Sequence, residues 1–228
     1  NAQALRLVTR LHYLVDEHGM NLTYALLNTI IKYPGSSLQI DENSGNIKDR
    51  KMGYYFADEE IFHKVTKETG AGRNRHPLTY MLEAADDLAY KTADIEDSFV
   101  KGFIRYADLE RELKELEEKK RNGTFRPAYR LRQLYERGIQ ERVHDPESYA
   151  VKNWIVNAQG FLLNCATEGF MANYDAIMSG KFGQDLFYGT NGEELMELLG
   201  DMADRYVFSS MAIYKMAVSY THLTLPTT

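Results

Sequence analysis

The chain has 228 residues, of which 44% are hydrophobic, and its formal net charge is −6 at pH 7. This composition excludes a disordered chain, and the acidic net charge argues against general binding of polyanions. No apolar run in the sequence is long enough to span a bilayer, so we expect no membrane partner. Because Cys165 is the single cysteine, the chain has no internal disulfide, which is typical of a protein of the reducing cytoplasm. We expect the Cys165 thiol to be buried.

Hydrophobic residues recur at helical spacing along most of the chain, and no segment alternates as a β-strand would. Gly19 ends the first helical pattern, and Asn21 is placed to cap the second. The predicted core anchors of a long later helix are Trp154, Phe161, Phe170 and Tyr174. The chain is therefore predicted to be all-α. The predicted helices cover about residues 1–18, 21–33, 58–68, 77–101, 107–121, 125–142, 146–180 and 192–218.

The segment from Arg75 to Asp97, RHPLTYMLEAADDLAYKTADIED, is the most informative part of the chain. Proline suits the first turn of a helix, where its missing N–H costs nothing, so Pro77 predicts a helix start. Asp86, Tyr90 and Asp94 are spaced by four residues, which puts them on one face of that helix. A row of acids is usually a solvated face, but carboxylates and a phenol beside apolar residues also suit a metal ion and a sugar.

This segment resembles the HPLTY…EAADD…Y…AD.ED signature of the deoxyguanosinetriphosphate triphosphohydrolases, a branch of the HD-domain superfamily. The resemblance implies an HD-domain-like helical bundle. It implies that Asp86 is the last ligand of a divalent metal ion (Mg²⁺ or Mn²⁺), that Tyr90 packs on the deoxyribose and that Asp94 hydrogen-bonds the 3′-hydroxyl. The other acids of the segment inherit no role and are interpreted as supporting or surface residues: Glu83, Asp87, Glu96 and Asp97.

Three further segments resemble the same family and imply a site for the triphosphate. The chain opens NAQALRLVTRL, whose first residue, Asn1, corresponds to an asparagine that faces the triphosphate. The segment MNLTYALLNTIIKYP ends in the phosphate-binding pair Lys32 and Tyr33, and RKMGYY supplies Lys51. Lysine is a compact point charge that suits a triphosphate, although each lysine taken alone also fits ordinary surface charge.

Two other features allow both a functional and a structural interpretation. His144 and Asp145 form a His-Asp pair, but the pair follows the Asp86 helix and precedes a proline, so we interpret Asp145 as a helix N-cap. Residues 125–142 interleave arginines with aromatic residues, a composition that binds single-stranded nucleic acid, as some members of the family do. The alternative is an amphipathic helix whose arginines point to solvent.

Both ends of the chain depart from the family pattern. The first His, the His-Asp pair and the catalytic residues of the family would lie upstream of Asn1, so we expect no catalytic residue in this chain and no activity from it alone. Residues 219–228 are rich in threonine and resemble translated sequencing-adaptor sequence from a metagenomic fragment, so we expect a non-native tail there. The expected organisation is one partial domain over residues 1–218 and a tail over 219–228.

The resemblance implies that the full-length protein hydrolyses dGTP, or another deoxynucleoside triphosphate, to the deoxynucleoside and inorganic triphosphate. It also implies metal dependence and assembly into a homo-oligomer. An alternative is a non-catalytic helical regulator that binds a deoxynucleoside triphosphate or single-stranded nucleic acid. A hydrolase for a different phosphoester is a further alternative, against which the sugar-binding pair Tyr90 and Asp94 argues.

Overall fold

The computed structural model of the protein describes residues 2–12, 19–119 and 126–209. Within these ranges every regular element is a helix and no strand occurs, which confirms the predicted all-α class. No helix there is both long and apolar enough to cross a membrane. Asn1 and the predicted tail lie outside these ranges. The α-helices are α1 (Ala2–Arg6), α2 (Tyr24–Thr29), α3 (Glu59–Glu68), α4 (Pro77–Val100), α5 (Tyr106–Lys119), α6 (Pro127–Gln140), α7 (Pro146–Ala172), α8 (Tyr174–Met178) and α9 (Glu193–Ala203).

The starts of α2 and α7 depend on side-chain caps. Asp145 caps α7, since its carboxylate accepts a hydrogen bond from the Ser148 amide at 3.0 Å, as predicted. Thr23 caps α2, because its hydroxyl accepts from the Leu26 amide at 3.3 Å. The prediction that Asn21 caps this helix is wrong: Asn21 has left-handed backbone (φ 48°) and precedes the cap by two residues.

The long helix predicted over 146–180 is present from Pro146 to Ala172, and it is interrupted at Asn173 before the short helix α8. Two of its predicted core anchors, Trp154 and Phe170, are buried, and a third, Phe161, is half-buried. Tyr174 is exposed over 45% of its surface, so its prediction as a core residue is wrong. Its ring packs edge-to-face against the buried ring of Phe170, with 6.1 Å between the two centroids.

One compact unit comprises the residues up to Asp86 together with Ala166–Thr190. Tyr54 stacks on Phe62 with 4.0 Å between ring centroids. The phenol of Tyr80, in the first turn of α4, donates to the carbonyl of Phe182 at 2.6 Å and ties the start of that helix to the segment after α8. The buried core of this unit gathers Leu5, Leu27, Ile31, Tyr54, Phe62 and Val65.

The other unit comprises Asp87–Cys165 and the residues from Asn191 onward. Its fully buried Trp154 donates from the indole nitrogen to the Pro127 carbonyl at 2.9 Å, which joins α7 to the start of α6. Cys165 is buried, as predicted. Its core also includes Leu109, Leu113, Leu131, Leu134, Leu162 and Leu199.

Candidate functional site

The helix α4 carries the predicted metal- and sugar-binding residues along one face. Asp86, Tyr90 and Asp94 follow each other at steps of four within this continuous helix. Thr92 and Ile95, on the other side of α4, are fully buried. The periodicity of the helix therefore places the side chains of Asp86, Tyr90 and Asp94 on the face opposite the core, and a ligand has access to that face.

Lys32 and Asp86 form an ion pair within the first unit. The Lys32 ammonium lies 2.5 Å from a carboxylate oxygen of Asp86, although 54 positions separate the two residues in the sequence. The Lys32 side chain is 13% exposed and that of Asp86 is 41% exposed. The residue predicted for phosphate and the residue predicted for metal are thus neighbours, at a place that water reaches.

A buried arginine lies behind this pair. Arg75 forms a bidentate ion pair with Glu83, which lies on the second turn of α4: two guanidinium nitrogens donate to the two carboxylate oxygens. Its Nε also donates to the backbone carbonyl of Lys32 at 2.6 Å. Its guanidinium carbon lies 5.4 Å from the ring centroids of both Tyr33 and Tyr80. Arg75 thereby connects the segment after α2 with α4.

Lys51 joins the same region through a close approach of two backbone segments. The Lys51 ammonium lies 5.8 Å from the ring centroid of Tyr33. Gly53 permits this approach: a Cβ at that position would lie 1.8 Å from the carbonyl oxygen of Tyr33. The Gly53 amide also donates to the Gly35 carbonyl at 2.9 Å. Lys32, Tyr33 and Lys51 are therefore brought together, while Asn1 lies outside the described residues.

The predicted sugar-binding residues differ in exposure. Tyr90 is exposed over 66% of its surface, so its ring is available for stacking. Asp94 is half-buried, and this burial, together with the neighbouring charge of Asp97, raises the pKa of its carboxyl group. A carboxylate accepts hydrogen bonds from hydroxyl groups, which is the chemistry that a sugar requires of Asp94.

The described residues do not form a complete metal site. Across residues 2–12, 19–119 and 126–209, no three His, Cys, Asp or Glu side chains come together in a way that could hold a metal ion. Asp86 supplies one carboxylate, and its nearby partner is the cation Lys32. A divalent ion needs several oxygen or nitrogen ligands, so these residues alone do not fit one.

The His-Asp pair and the arginine-rich helix have structural partners. The hydrogen bond from Ser148 to Asp145 lowers the pKa of the Asp145 carboxyl, as expected for an N-cap. On α6, Arg130 donates to the Asn157 side chain, Arg132 to Glu110 and Arg137 to Glu141. These contacts agree with the interpretation as an amphipathic helix, and binding of nucleic acid stays a prediction.

The sequence did not single out three residues that organise this region: Arg75, Glu83 and Gly53. Arg75 lies inside the most informative segment, yet a lone arginine gives no sign of being buried. The spacing of eight between Arg75 and Glu83 spans the helix start and matches no helical pair rule. Gly53 stands directly before the aromatic run Tyr54, Tyr55 and Phe56, and a glycine at such a place is the one signal that could have indicated a close backbone approach.

Similar proteins are known, although no protein-family model matches the chain. It is 41% identical over 221 residues to the deoxyguanosinetriphosphate triphosphohydrolase-like protein of Listeria monocytogenes, an alignment that covers 96% of this chain and 46% of the relative. It is 33% identical over 216 residues to the deoxyguanosinetriphosphate triphosphohydrolase of Yersinia enterocolitica, covering 92% of this chain and 41% of the relative. The chain thus spans less than half the length of these curated relatives.

Proposed function

Because this chain belongs to the family of deoxyguanosinetriphosphate triphosphohydrolases and their like-named relatives, we propose that it supplies the phosphate- and sugar-binding part of such an enzyme. The whole protein would hydrolyse dGTP, or another deoxynucleoside triphosphate, to the deoxynucleoside and inorganic triphosphate. The observation that carries this proposal is the position of Lys32, whose ammonium is held beside Asp86 on α4.

The lysines bind the triphosphate in this proposal. A triphosphate carries several negative charges, and lysine ammonium groups offset them as point charges that need no fixed geometry. Lys32 directly precedes Tyr33 in the chain and the Lys51 ammonium lies 5.8 Å from the Tyr33 ring, so in this proposal their two charges act on one ligand. They would also stabilise the extra negative charge on the triphosphate as it departs.

Tyr90 and Asp94 bind the sugar. The exposed ring of Tyr90 packs against the face of a deoxyribose, and a 2′-hydroxyl group would crowd that ring and disfavour ribonucleotides. Asp94, one helical turn further along α4, accepts a hydrogen bond from the 3′-hydroxyl. The two residues together select a deoxynucleotide by shape and by one hydrogen bond.

Asp86 would contribute one ligand to Mg²⁺ or Mn²⁺ in the whole protein. A divalent ion supplies an activated water molecule and a Lewis acid for attack on phosphorus. The other ligands are not among the residues that the structure describes, so no step is assigned to the ion. To bind the ion, the Asp86 carboxylate would have to give up its ion pair with the Lys32 ammonium.

Binding to the chain tests the phosphate site directly. We expect inorganic tripolyphosphate to bind in a calorimetric titration, and Lys32→Met or Lys51→Met to weaken it about tenfold each, since each removes one charge-assisted contact. Lys64→Met is the matched control, because Lys64 is an exposed lysine of the same unit that pairs with Glu60. Equal affinity for all four proteins would overturn the assignment.

Activity tests the reaction. The longest protein that the gene encodes is incubated with each deoxynucleoside triphosphate and Mn²⁺ or Mg²⁺, and the products are separated by ion-exchange chromatography. Inorganic triphosphate with a deoxynucleoside, and without pyrophosphate, is the expected result. Binding of a deoxynucleoside triphosphate without turnover would instead favour the non-catalytic regulator.

A further inference from the structure

Arg75 is fully buried and has a partner for each part of its guanidinium group. Two of its nitrogens donate to the Glu83 carboxylate, and its Nε donates to the Lys32 carbonyl. Its guanidinium carbon lies 5.4 Å from the ring centroids of Tyr33 and Tyr80. The Arg75 side chain has no exposed surface at all, and Glu83 is only 12% exposed. Taking two charges out of water costs several kcal/mol per ion, so this pair is not explained by stability alone.

The contacts of Arg75 converge on a segment that has little regular structure of its own. α2 ends at Thr29, and Lys32 and Tyr33 follow it in a bend that belongs to no helix. The backbone of Lys32 is held by Arg75, and its side chain then reaches Asp86. Since Glu83 and Asp86 both belong to α4, Arg75 fixes the distance between this segment and the helix that carries Asp86.

We propose that Arg75 is a positioning residue, which holds Lys32 and Tyr33 against α4 so that the Lys32 ammonium stays beside Asp86. This inference rests on the proposed function for the role of Lys32 in phosphate binding, but the positioning itself is a property of the fold. Lysine cannot replace Arg75, because it lacks the planar fork that binds Glu83 and the Lys32 carbonyl at once.

Chemical labelling of lysines measures the positioning without any ligand. The intact chain is acetylated with a dilute N-hydroxysuccinimide ester, and the rate at each lysine is followed by mass spectrometry. In the Arg75→Lys variant we expect the rate at Lys32 to rise about tenfold, because its protected state opens more often. The rates at Lys64 and Lys101, two exposed lysines, should stay unchanged.

Two further variants separate positioning from general loss of stability. Tyr80→Phe removes the buried hydrogen bond to Phe182 but keeps the ring beside Arg75, so it weakens the same unit without releasing Lys32. Glu83→Gln keeps an acceptor for Arg75 while removing the charge, and it serves if Arg75→Lys does not fold by circular dichroism. Faster labelling of Lys32 in the Arg75 or Glu83 variant, but not in Tyr80→Phe, is the expected result. Equal labelling of Lys32 in all folded variants would overturn the inference.

Affinity for tripolyphosphate links the positioning to function. If Arg75 acts through Lys32, Arg75→Lys weakens binding, and the double variant with Lys32→Met binds as weakly as Lys32→Met alone, within about twofold. Additive losses would mean that Arg75 acts by another route and would contradict the inference. If the wild-type chain binds no tripolyphosphate, the proposed function fails, while the labelling rates still decide the role of Arg75.

Discussion

The Nζ atom of Lys32 lies 2.5 Å from a carboxylate oxygen of Asp86, yet the two residues come from segments that are 54 positions apart. The pair is open to water on the side of Asp86, and water screens such pairs strongly. The ion pair of Arg75 with Glu83, two residues that are eight positions apart across the start of α4, is instead almost closed to water. One pair is accessible to a ligand, and the other holds the local structure.

This difference predicts unequal effects on stability. Asp86→Asn should change the free energy of unfolding by less than about 1 kcal/mol, because the pair is partly exposed. Arg75→Met should cost about 3–5 kcal/mol, because it leaves the Glu83 carboxylate buried without its cation. Urea denaturation followed by circular dichroism measures both values. Similar losses for the two variants would contradict the assignment of one pair to a ligand site and the other to the core.

A second prediction concerns the close approach at Gly53. Gly53→Ala should destabilise the chain by on the order of 2 kcal/mol or more and weaken tripolyphosphate binding, because the added Cβ would collide with the Tyr33 carbonyl and displace Lys51. Gly45→Ala is the matched control, since nothing lies within 4 Å of a Cβ at that position. The two variants are compared by thermal unfolding and by titration calorimetry. Equal behaviour would show that the backbone contact has no role in the site.

The helices were predictable because their signals are local. Pro77 and the unbroken pattern behind it correctly indicated α4, and Asp145 before Pro146 correctly indicated the start of α7. The break after Ala172 and the exposure of Tyr174 were not predictable, because an aromatic residue at helical spacing carries no mark of which neighbour will cover it. The cap of α2 was misplaced by two residues, since Asn21 and Thr23 are both suitable cap residues.

The candidate site was predictable only in part. Helical spacing alone aligns Asp86, Tyr90 and Asp94, and the resemblance to a family supplied the candidate lysines. The contact between Lys32 and Asp86 depends on how α2 and α4 pack, which no local pattern encodes. The roles of Arg75 and Glu83 are hidden for the same reason: burial of a charged pair follows from the tertiary structure, and charged residues are usually exposed.

The third prediction concerns sugar selection by Tyr90. Tyr90→Ala should reduce the preference for dGTP over GTP in direct binding titrations, because the ring that a 2′-hydroxyl would crowd is removed. Its ring is exposed, so the variant should fold with unchanged stability. Tyr188→Ala, which removes a similarly exposed tyrosine, is the control. An unaltered ratio of dGTP to GTP affinity in Tyr90→Ala would count against the sugar-binding role.

The fourth prediction concerns the only tryptophan of the chain. Trp154→Phe should destabilise the protein by about 2–4 kcal/mol, because it leaves a cavity in the core and removes the indole donor from the Pro127 carbonyl. Val156→Ala, an exposed position on the same helix, should change the stability by less than about 0.5 kcal/mol. Urea denaturation followed by circular dichroism gives both values. A loss below that of the control would place Trp154 outside the cooperative core.

The last prediction concerns acid stability and Asp108. The side chain of Arg105, which hydrogen-bonds the Asp108 carboxylate at 2.8 Å, lowers its pKa from 3.8 to about 2, with help from Arg111. Because the folded-state pKa is lowered, the unfolded chain takes up a proton first, so this stabilisation is complete above pH 4 or so and is lost as the pH falls towards 2.

Replacing that carboxylate should therefore flatten the dependence of stability on pH. Asp108→Asn is expected to lose about 1 kcal/mol at neutral pH, a modest value because both arginines are more than half exposed, and little at pH 2. Urea midpoints measured between pH 2 and 7 test this, with Asp175→Asn, which removes an exposed carboxylate of α8, as the control. If Asp108→Asn and wild type differ by the same amount at every pH, the ion pairs of Asp108 do not contribute to stability in the way that the geometry indicates.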